Sequence, residues 1–228
     1  MYGIRDGYTP RLKPDYFQDI QTDFPKLWQP DVLPIAVHIA RLNGCKTLID
    51  IGCGRGEKLV PYANEFDIIG MDYGDNLDYC RSQHDFGRWL DVDLERDVLD
   101  IPGDVLKKSV LVCSDVVEHL VNPEKLALNL KMLLICAPYL VLSTPDRLRT
   151  YGQSQDGPPG NPHHVREWTL AELAAWLESY GFTVEWKGWT RSNDMDQQKN
   201  TTLLVLSAHR RNERLGNIEG LFEVDFTA

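Results

Sequence analysis

The stretch that most constrains the fold of this chain is residues 48–56, whose sequence is Leu-Ile-Asp-Ile-Gly-Cys-Gly-Arg-Gly. A short apolar run ends at an acid and passes directly into three glycines separated by single residues. Glycine tolerates positive φ angles, and its missing Cβ atom lets a ligand approach the backbone. This order predicts a strand that turns sharply into a helix at residues 57–64, whose first amides would bind an anionic or hydrogen-bonding ligand. Strand-to-helix turns also use glycine for steric reasons alone.

Acidic residues end the next segments that have the character of strands. A second predicted strand ends at Asp72, and a carboxylate at that place can accept both hydroxyls of a ribose. A third, residues 88–92, leads into Asp93, and a fourth, residues 110–114, leads into a polar run. The carboxyl ends of parallel strands meet at one edge of a sheet, so these polar residues are expected to lie together.

Strands and helices alternate along most of the chain, which predicts an α/β fold with a doubly wound, mostly parallel, seven-stranded sheet. Helices would cover both faces because the crossovers are right-handed. The predicted strands are residues 47–51, 67–72, 88–92, 110–114, 139–143, 183–186 and 202–207, and the predicted helices are residues 31–42, 57–64, 76–83, 123–134 and 169–180. The last two strands are joined by a polar loop with no room for a long helix, so they are predicted to form an antiparallel C-terminal hairpin.

The order of these motifs resembles the class I S-adenosylmethionine-dependent methyltransferases, of the broad type that includes the ubiquinone-pathway O-methyltransferases. The resemblance covers about residues 31–206 and depends on the combination of motifs, since no single motif is specific. It implies a Rossmann-like methyltransferase fold and S-adenosylmethionine as the cofactor.

The resemblance implies that the loop after the first strand holds the methionine portion of the cofactor. Gly52, Gly54 and the backbone of Cys53 would contact this portion. Asp50 would orient the loop, or its ligand through water. Ser114, at the end of the fourth strand, would lie beneath the methionine portion.

The nucleoside portion is assigned to the second and third strands by the same resemblance. Asp72 would take the ribose hydroxyls, with Tyr73 stacked beside the adenine. The side chain of Asp93 and the backbone amide of Leu94 would hold the adenine edge. Asp91 competes with Asp93 for this role because the phase of the third strand is open, and a solvated acidic loop also fits the pattern.

A second group of polar residues is predicted to lie at the acceptor side of the cleft. On one helical turn, Asp115, Glu118 and His119 would share a face, because residues three and four apart are neighbours on a helix. Residues 145–168, here called the lid, follow the fifth strand and are rich in proline and glycine. His164 or its neighbour His163, both in the lid, would then meet this face across the site.

Two interpretations of this group remain open. In the first, the residues bind a divalent cation that lowers the pKa of an acceptor hydroxyl. The small-RNA terminal 2′-O-methyltransferases look similar here, although Asp115 is a shorter ligand arm than their glutamate. In the second, no metal is bound, His119 packs under the cofactor, and His164 or His163 is a base. His164 is favoured because the resembling enzymes place a histidine four residues before a tryptophan, as here, so His164 and His119 are the predicted catalytic residues.

Composition restricts the partners. The 228 residues carry a net charge of −10 and a sequence pI near 5.0, which argues against binding nucleic acid or an anionic membrane. No apolar run approaches the length of a membrane span, and the first residues lack a signal-peptide pattern. The five cysteines lack metal-binding or redox spacing and are expected to be reduced thiols. We expect a cytoplasmic protein, a monomer or homodimer, with a small-molecule acceptor, no nucleic-acid partner and no membrane contact.

The chain is predicted to be a single domain, residues 1–228, with three appended features. Residues 1–30 form an irregular arm, with a helical turn near 16–22, that either packs on the surface or covers the cleft. The lid is expected to be mobile over residues 146–162 without acceptor and ordered with it. Residues 209–228 form a tail that is either an added strand or a partner contact.

The predicted activity is transfer of a methyl group to a hydroxyl of a small acceptor such as a sugar, a glycan intermediate or a phenolic metabolite. One alternative is a metal-dependent RNA 2′-O-methyltransferase, which the acidic charge and the absence of an RNA-binding appendage disfavour. The other is a non-catalytic scaffold that binds S-adenosylmethionine without turnover, which the polar residues of the lid disfavour.

Overall fold

The computed structural model describes residues 2–14, 26–153, 155–195, 197–209 and 215–221. The helical turn predicted near residues 16–22 lies outside the described residues, as does the last part of the tail. The described part of the tail contains the short helix Ile218–Leu221, where an added strand or a partner contact was predicted. Within these described residues, no helix combines the length and the apolar character that crossing a membrane would require.

The strands form one seven-stranded sheet. They are β1 (Thr47–Ile51), β2 (Asp67–Asp72), β3 (Arg88–Asp91), β4 (Ser109–Ser114), β5 (Tyr139–Pro145), β6 (Thr183–Thr190) and β7 (Thr201–Ser207). Their order is β3-β2-β1-β4-β5-β7-β6, and the first five are parallel. β7 pairs antiparallel with both β5 and β6, so the predicted sheet and its C-terminal hairpin are confirmed.

The helices are α1 (Val32–Leu42), α2 (Gly74–Gln83), α3 (Gly103–Leu106), α4 (Pro123–Leu134), α5 (Arg147–Tyr151), α6 (Leu170–Ser179) and α7 (Ile218–Leu221). The segment predicted as a helix at residues 57–64 is instead a 3-10 helix, Glu57–Tyr62. Pro61 lies inside it and has no N–H to donate, so an α-helical hydrogen bond is missing at that residue.

Apolar side chains from both faces of the central strands form two core clusters. Ile49 and Ile51 of β1 join one cluster, whereas Leu48 points to the other with the helix α1. Every residue of β1 and β4 is buried, as expected for parallel strands covered by helices on both faces. Four of the five cysteines are buried and all are free thiols, consistent with the expectation from sequence.

The strand register brings the carboxyl ends of β1, β2, β4 and β5 to one edge of the sheet. Ile51 pairs with Met71, and Ser114 pairs with Ser143. The order of the strands reverses between β1 and β4, and a crevice at such a point is where doubly wound sheets bind ligands.

The N-terminus of α1 is held by a long-range ion pair. Asp31 occupies the N-cap position but makes no side-chain cap hydrogen bond. Its carboxylate, 3% exposed as a residue, instead forms an ion pair with Arg191 from the loop after β6. This pair ties the start of α1 to the loop between the last two strands, close to the edge that carries the site.

Candidate active site

The glycine loop after β1 is held against β2 by its own backbone. The amides of Gly52 and Cys53 donate to the carbonyl of Met71, with N–O distances of 2.8 and 3.0 Å. Gly52 has a φ of 79°, and a Cβ atom there would lie 2.3 Å from the Val116 side chain. Glycine is therefore required at this position for packing against the turn after β4, apart from any role toward a ligand.

Asp72 braces the same loop. One carboxylate oxygen accepts from the amide of Gly54 at 2.7 Å, and the other accepts from the amide of Tyr73 at 2.8 Å. A carboxylate offers about four lone-pair sites, so accepting from these two amides does not by itself fill them. The ribose role of Asp72 and the stacking role of Tyr73, whose ring is exposed at the start of α2, stay predictions.

The third glycine of the loop has a steric function that the sequence analysis missed. A Cβ atom at Gly56 would lie 2.7 Å from the Trp89 ring, and one at Gly70 would lie 2.4 Å from it. Trp89 belongs to β3, and its indole N–H donates to the carbonyl of Phe86 at 3.1 Å. Two glycines thus make space for one large side chain behind the loop.

The acids after β3 form a turn. The carboxylate of Asp93 accepts from the amide of Glu95 at 3.0 Å and pairs with Arg96 at 3.3 Å. Leu94 is buried, and Asp91 is exposed at the end of β3. The adenine-binding roles predicted for Asp93 and Leu94, and the competing role for Asp91, are compatible with this turn and stay predictions.

Asp50 is a buried acid directly before the glycine loop. Burial raises the pKa of its carboxyl group to about 6, with Lys58 acting in the opposite direction and Asp72 adding to the increase. Its side chain therefore titrates close to neutral pH, unlike that of an exposed aspartate. Its predicted role, orienting the loop or its ligand, is untested by these contacts.

Gln29, from the arm, is a site residue that the sequence analysis missed. Its side-chain oxygen accepts from the hydroxyls of Ser114 at 2.9 Å and Ser143 at 2.5 Å. Its side-chain nitrogen donates to Asp115 at 2.7 Å. The residue is 2% exposed and has a φ of 49°. The side-chain amide of Gln29 thus links the ends of β4 and β5. No local sequence pattern in the arm indicated that Gln29 would be a buried site residue.

Four side chains converge at the acceptor side of the strand ends. Asp115, Glu118, His119 and His164 each offer one oxygen or nitrogen atom, and these atoms all lie within 4.8 Å of one another. The predicted helical turn is a 3-10 helix, Val117–His119, and Asp115 lies before it with a φ of 61°. We call these four residues the acceptor cluster.

The lid reaches the acceptor cluster through the backbone. The amide of Val165 donates to the carbonyl of Glu118 at 2.7 Å, which ties the lid to the 3-10 helix. The rings of His119 and His164 meet edge to face with centroids 4.8 Å apart. Among the described residues His164, and not its neighbour His163, completes the cluster. His163 instead accepts from the Nδ1–H of His119 through its backbone carbonyl at 3.0 Å.

Burial and mutual proximity separate the pKa values in the acceptor cluster. Burial, together with the Asp115 carboxylate, raises the pKa of Glu118 well above its ordinary value. Burial also opposes ionisation of Asp115, but its neighbours Glu118, His119 and His164 outweigh that effect and lower its pKa. Burial lowers the pKa of His119 to about 4, so this imidazole is neutral at pH 7.

Two observations bear on whether the acceptor cluster fits a cation. Both carboxylate oxygens of Glu118 are buried and have no hydrogen-bond partner in the described part of the chain. His119 donates from Nδ1–H to the carbonyl of His163, so its Nε2 atom is the ring nitrogen that carries the lone pair. Carboxylate and imidazole donors suit divalent transition metals, so the cluster fits such an ion chemically.

His164 has two polar partners of its own. Its Nδ1 lies 2.5 Å from an Oε atom of Glu167, and its Nε2 lies 3.0 Å from the side-chain nitrogen of Asn161. His164 and Glu167 are 6% and 1% exposed. An Nδ1–H that donates to Glu167 leaves Nε2 as an acceptor. Asn161 and Glu167 lie three residues before and three residues after His164, and this spacing was the signal available in the sequence.

The comparisons with known proteins agree with this geometry. A family model described as a methyltransferase domain matches residues 20–186, more than half of the chain. A probable S-adenosylmethionine-dependent methyltransferase from Mycolicibacterium smegmatis is 30% identical over 144 residues. That match covers 61% of this chain and 53% of the relative, so the chain spans about half the length of this curated relative.

Solved structures share the fold. The CcbJ methyltransferase from Streptomyces caelestis has a TM-score of 0.65 at 14% identity, covering 89% of this chain and 100% of that chain. Magnesium protoporphyrin IX methyltransferase from Synechocystis PCC 6803, solved with bound SAH, has a TM-score of 0.53 at 18% identity, covering 79% and 83%. The chain therefore belongs to the methyltransferase domain family of the class I S-adenosylmethionine-dependent methyltransferase superfamily, and S-adenosylmethionine is its cofactor.

Proposed function

We propose that this protein transfers a methyl group from S-adenosylmethionine to a hydroxyl of a small acceptor, such as a sugar, a glycan intermediate or a phenolic metabolite. The observation that carries this proposal is that His164, a member of the acceptor cluster, forms a buried pair with Glu167. A hydroxyl must lose its proton during methyl transfer, and this pair has the geometry of an imidazole base oriented by a carboxylate.

The bound cofactor supplies a sulfonium methyl group, and the protein must align the acceptor oxygen with it. The glycine loop, fixed to β2 and packed on Val116, is the part of the chain assigned to that alignment on the cofactor side. On the acceptor side, Nε2 of His164 would take the hydroxyl proton. Glu167 holds Nδ1–H and would stabilise the imidazolium that results. The acceptor hydroxyl would replace the amide of Asn161 on Nε2.

A second route to activation uses a divalent cation. Asp115, Glu118, His119 and His164 would hold it, and the ion would lower the pKa of the acceptor hydroxyl. His164 cannot be a base through the nitrogen that binds a metal, so the two routes exclude each other. The unpartnered oxygens of Glu118 support the cation route, whereas the hydrogen bonds of His164 with Asn161 and Glu167 support the base route.

The test is a turnover assay that detects S-adenosylhomocysteine with a panel of sugars, glycan intermediates, phenols and an RNA with a free terminal 2′-hydroxyl. Each acceptor is assayed with and without chelator, followed by Mg²⁺ or Mn²⁺. Activity on a small hydroxyl compound supports the proposal. Activity on the RNA alone would replace it with the RNA alternative, and no turnover on any acceptor despite tight cofactor binding would favour the scaffold. Loss with chelator and recovery with metal selects the cation route.

A further inference from the structure

The first residues of the chain are hydrogen-bonded to the lid. The amide of Thr9 donates to the carbonyl of Asp156, and the amide of Arg11 donates to the carbonyl of Val165, both at 2.7 Å. Near the end of the lid, the indole N–H of Trp168 donates to the carbonyl of Tyr2 at 2.8 Å. We call residues 2–14 the strap, because they bind to the lid at points spread along its length.

Arg11 binds two separate backbone segments of the lid. Its guanidinium donates to the carbonyl of Pro159 at 2.7 Å and to that of His164 at 3.2 Å. A planar guanidinium holds several donors in a fixed arrangement, so one side chain sets the separation of two backbone segments. One of these acceptors is the carbonyl of the histidine that completes the acceptor cluster.

Tyr8 binds the lid at the partner of that histidine. The amide of Glu167 donates to the Tyr8 hydroxyl at 3.0 Å, and Tyr8 is 2% exposed. The Arg147 guanidinium from α5 lies 4.9 Å from the centre of the Tyr8 ring. Tyr8 therefore contacts both Arg147 of α5, the helix within the lid, and the backbone amide of Glu167.

We propose that the strap fastens the lid before any acceptor binds, and that Tyr8 and Arg11 are positioning residues for the pair of His164 and Glu167. The catalytic consequence rests on the proposed function, whereas the fastening does not. The proposal opposes the expectation from composition that residues 146–162 are mobile without acceptor. According to the proposal, the proline- and glycine-rich sequence of the lid allows its backbone to lie in close contact with the strap.

A glycine in the lid makes that contact possible. A Cβ atom at Gly157 would lie 2.2 Å from the carbonyl oxygen of Thr9, too close for any side chain. Gly152, also in the lid, provides a matched control, because its added Cβ atom would have no other atom within 4 Å. Both glycines have positive φ angles, 77° and 84°, so alanine adds backbone strain at both positions. Only the alanine at Gly157 meets the strap.

The first experiment is amide hydrogen exchange without acceptor, on full-length wild-type protein, Gly157→Ala and Gly152→Ala. In the wild type we expect the non-proline amides of residues 155–166 to be protected from exchange. In Gly157→Ala we expect the same amides to exchange at least about tenfold faster than in the wild type. Gly152→Ala should leave these residues close to the wild-type rate, and the amides of β4 should be unchanged in both. Rapid exchange in the wild type, or equal exchange in the two variants, would overturn the proposal.

The second experiment addresses positioning with Arg11→Met, which keeps the aliphatic stem, and Tyr8→Phe, which keeps the ring. In ¹⁵N spectra of histidine-labelled protein, we expect the His164 side-chain signals to shift toward those of a free imidazole, while calorimetry with S-adenosylhomocysteine stays within about twofold of wild type. Unchanged His164 signals in both variants would contradict a positioning role. If the exchange and spectra behave as expected but His164→Ala retains full turnover, the strap stands and the catalytic role proposed for His164 fails.

Discussion

At the ends of β1 and β2 the backbone holds the part of the site predicted to bind the cofactor, here called the cofactor side, whereas at the ends of β4 and β5 buried side chains form the part predicted to bind the acceptor, the acceptor side. On the cofactor side, Gly52 and Cys53 donate to a main-chain carbonyl, and Asp72 accepts from two amides. On the acceptor side, Gln29 joins two strand ends, and Glu118 is buried without a hydrogen-bond partner among the described residues.

This difference indicates which side of the site has its polar groups hydrogen-bonded before a ligand binds. Backbone hydrogen bonds satisfy the polar groups of the glycine loop, so that side can be preorganised by the fold alone. Buried polar groups without partners are rare in native proteins and often mark a functional site. We therefore expect variants on the cofactor side to change affinity or pH response, and variants on the acceptor side to change turnover or stability at unchanged affinity.

The largest expected effect is on turnover at His164. A group that removes a proton contributes about 10²–10⁴-fold to a rate, so His164→Ala should lower turnover by that factor. Its affinity for S-adenosylhomocysteine, measured by calorimetry, should stay near wild type. His163→Ala is the matched control, since that side chain lies outside the acceptor cluster and should retain most of the turnover. Wild-type turnover in His164→Ala would remove both the base and the metal-ligand roles from this residue.

The next effect is a pH dependence on the cofactor side. The pKa of Asp50 is raised to about 6 by burial, above the value near 3.9 in an unfolded chain. The folded state therefore loses stability as pH rises from about 4 to 6, and above pH 6 the ionised Asp50 costs about 3 kcal/mol. Asp50→Asn removes this cost, so urea unfolding should give a difference from wild type that grows from about pH 4 to pH 6 and is nearly constant above it. A difference independent of pH would mean that Asp50 is ionised normally.

Asp72 tests whether the cofactor side binds the ribose. Asp72→Ala should weaken S-adenosylhomocysteine binding by about 1.5–3 kcal/mol, the range for losing hydrogen bonds to a charged group. The loop would also lose its bond from Gly54, so Asp72→Asn, which keeps an acceptor oxygen for that amide, separates bracing from binding. Unchanged affinity in the alanine variant would show that the ribose is held elsewhere and that the strand register was misassigned.

Most of the sheet could be predicted from the sequence because its signals are local. Runs of apolar residues mark β1, β2 and β4, and their predicted bounds agree with the structure within one residue. The errors have tertiary or backbone causes. β6 extends to Thr190, beyond the predicted residue 186, because β7 pairs with it as far as Thr201. The segment Glu57–Tyr62 is a 3-10 helix that contains Pro61, where an α-helix was predicted.

The two sides of the site differ in predictability for the same reason. The glycine loop, Asp50 and Asp72 follow directly on predicted strands, so their approximate positions could be inferred from order alone. Gln29 lies 86 residues from the aspartate it binds, and nothing in its neighbourhood marks it as polar and buried. The side chain of Trp89 behind the glycines was missed likewise, since only the folded sheet brings Gly56 and Gly70 beneath one ring.

The smallest expected effect is on stability at Gln29. Gln29→Met keeps the approximate volume but removes both polar ends, leaving Asp115 and the hydroxyls of Ser114 and Ser143 without that partner. Such a loss should lower the free energy of unfolding by about 1–2 kcal/mol, measured by urea denaturation. Gln83→Met on the exposed surface of α2 is the control and should stay within about 0.5 kcal/mol of wild type. We expect the affinity for S-adenosylhomocysteine to be unchanged in both, although the resemblance placed Ser114, one of the partners of Gln29, beneath the methionine portion of the cofactor. Should affinity fall with stability in Gln29→Met, the amide would belong to the methionine subsite with Ser114, and the division between the two sides would lie one strand further along the sheet.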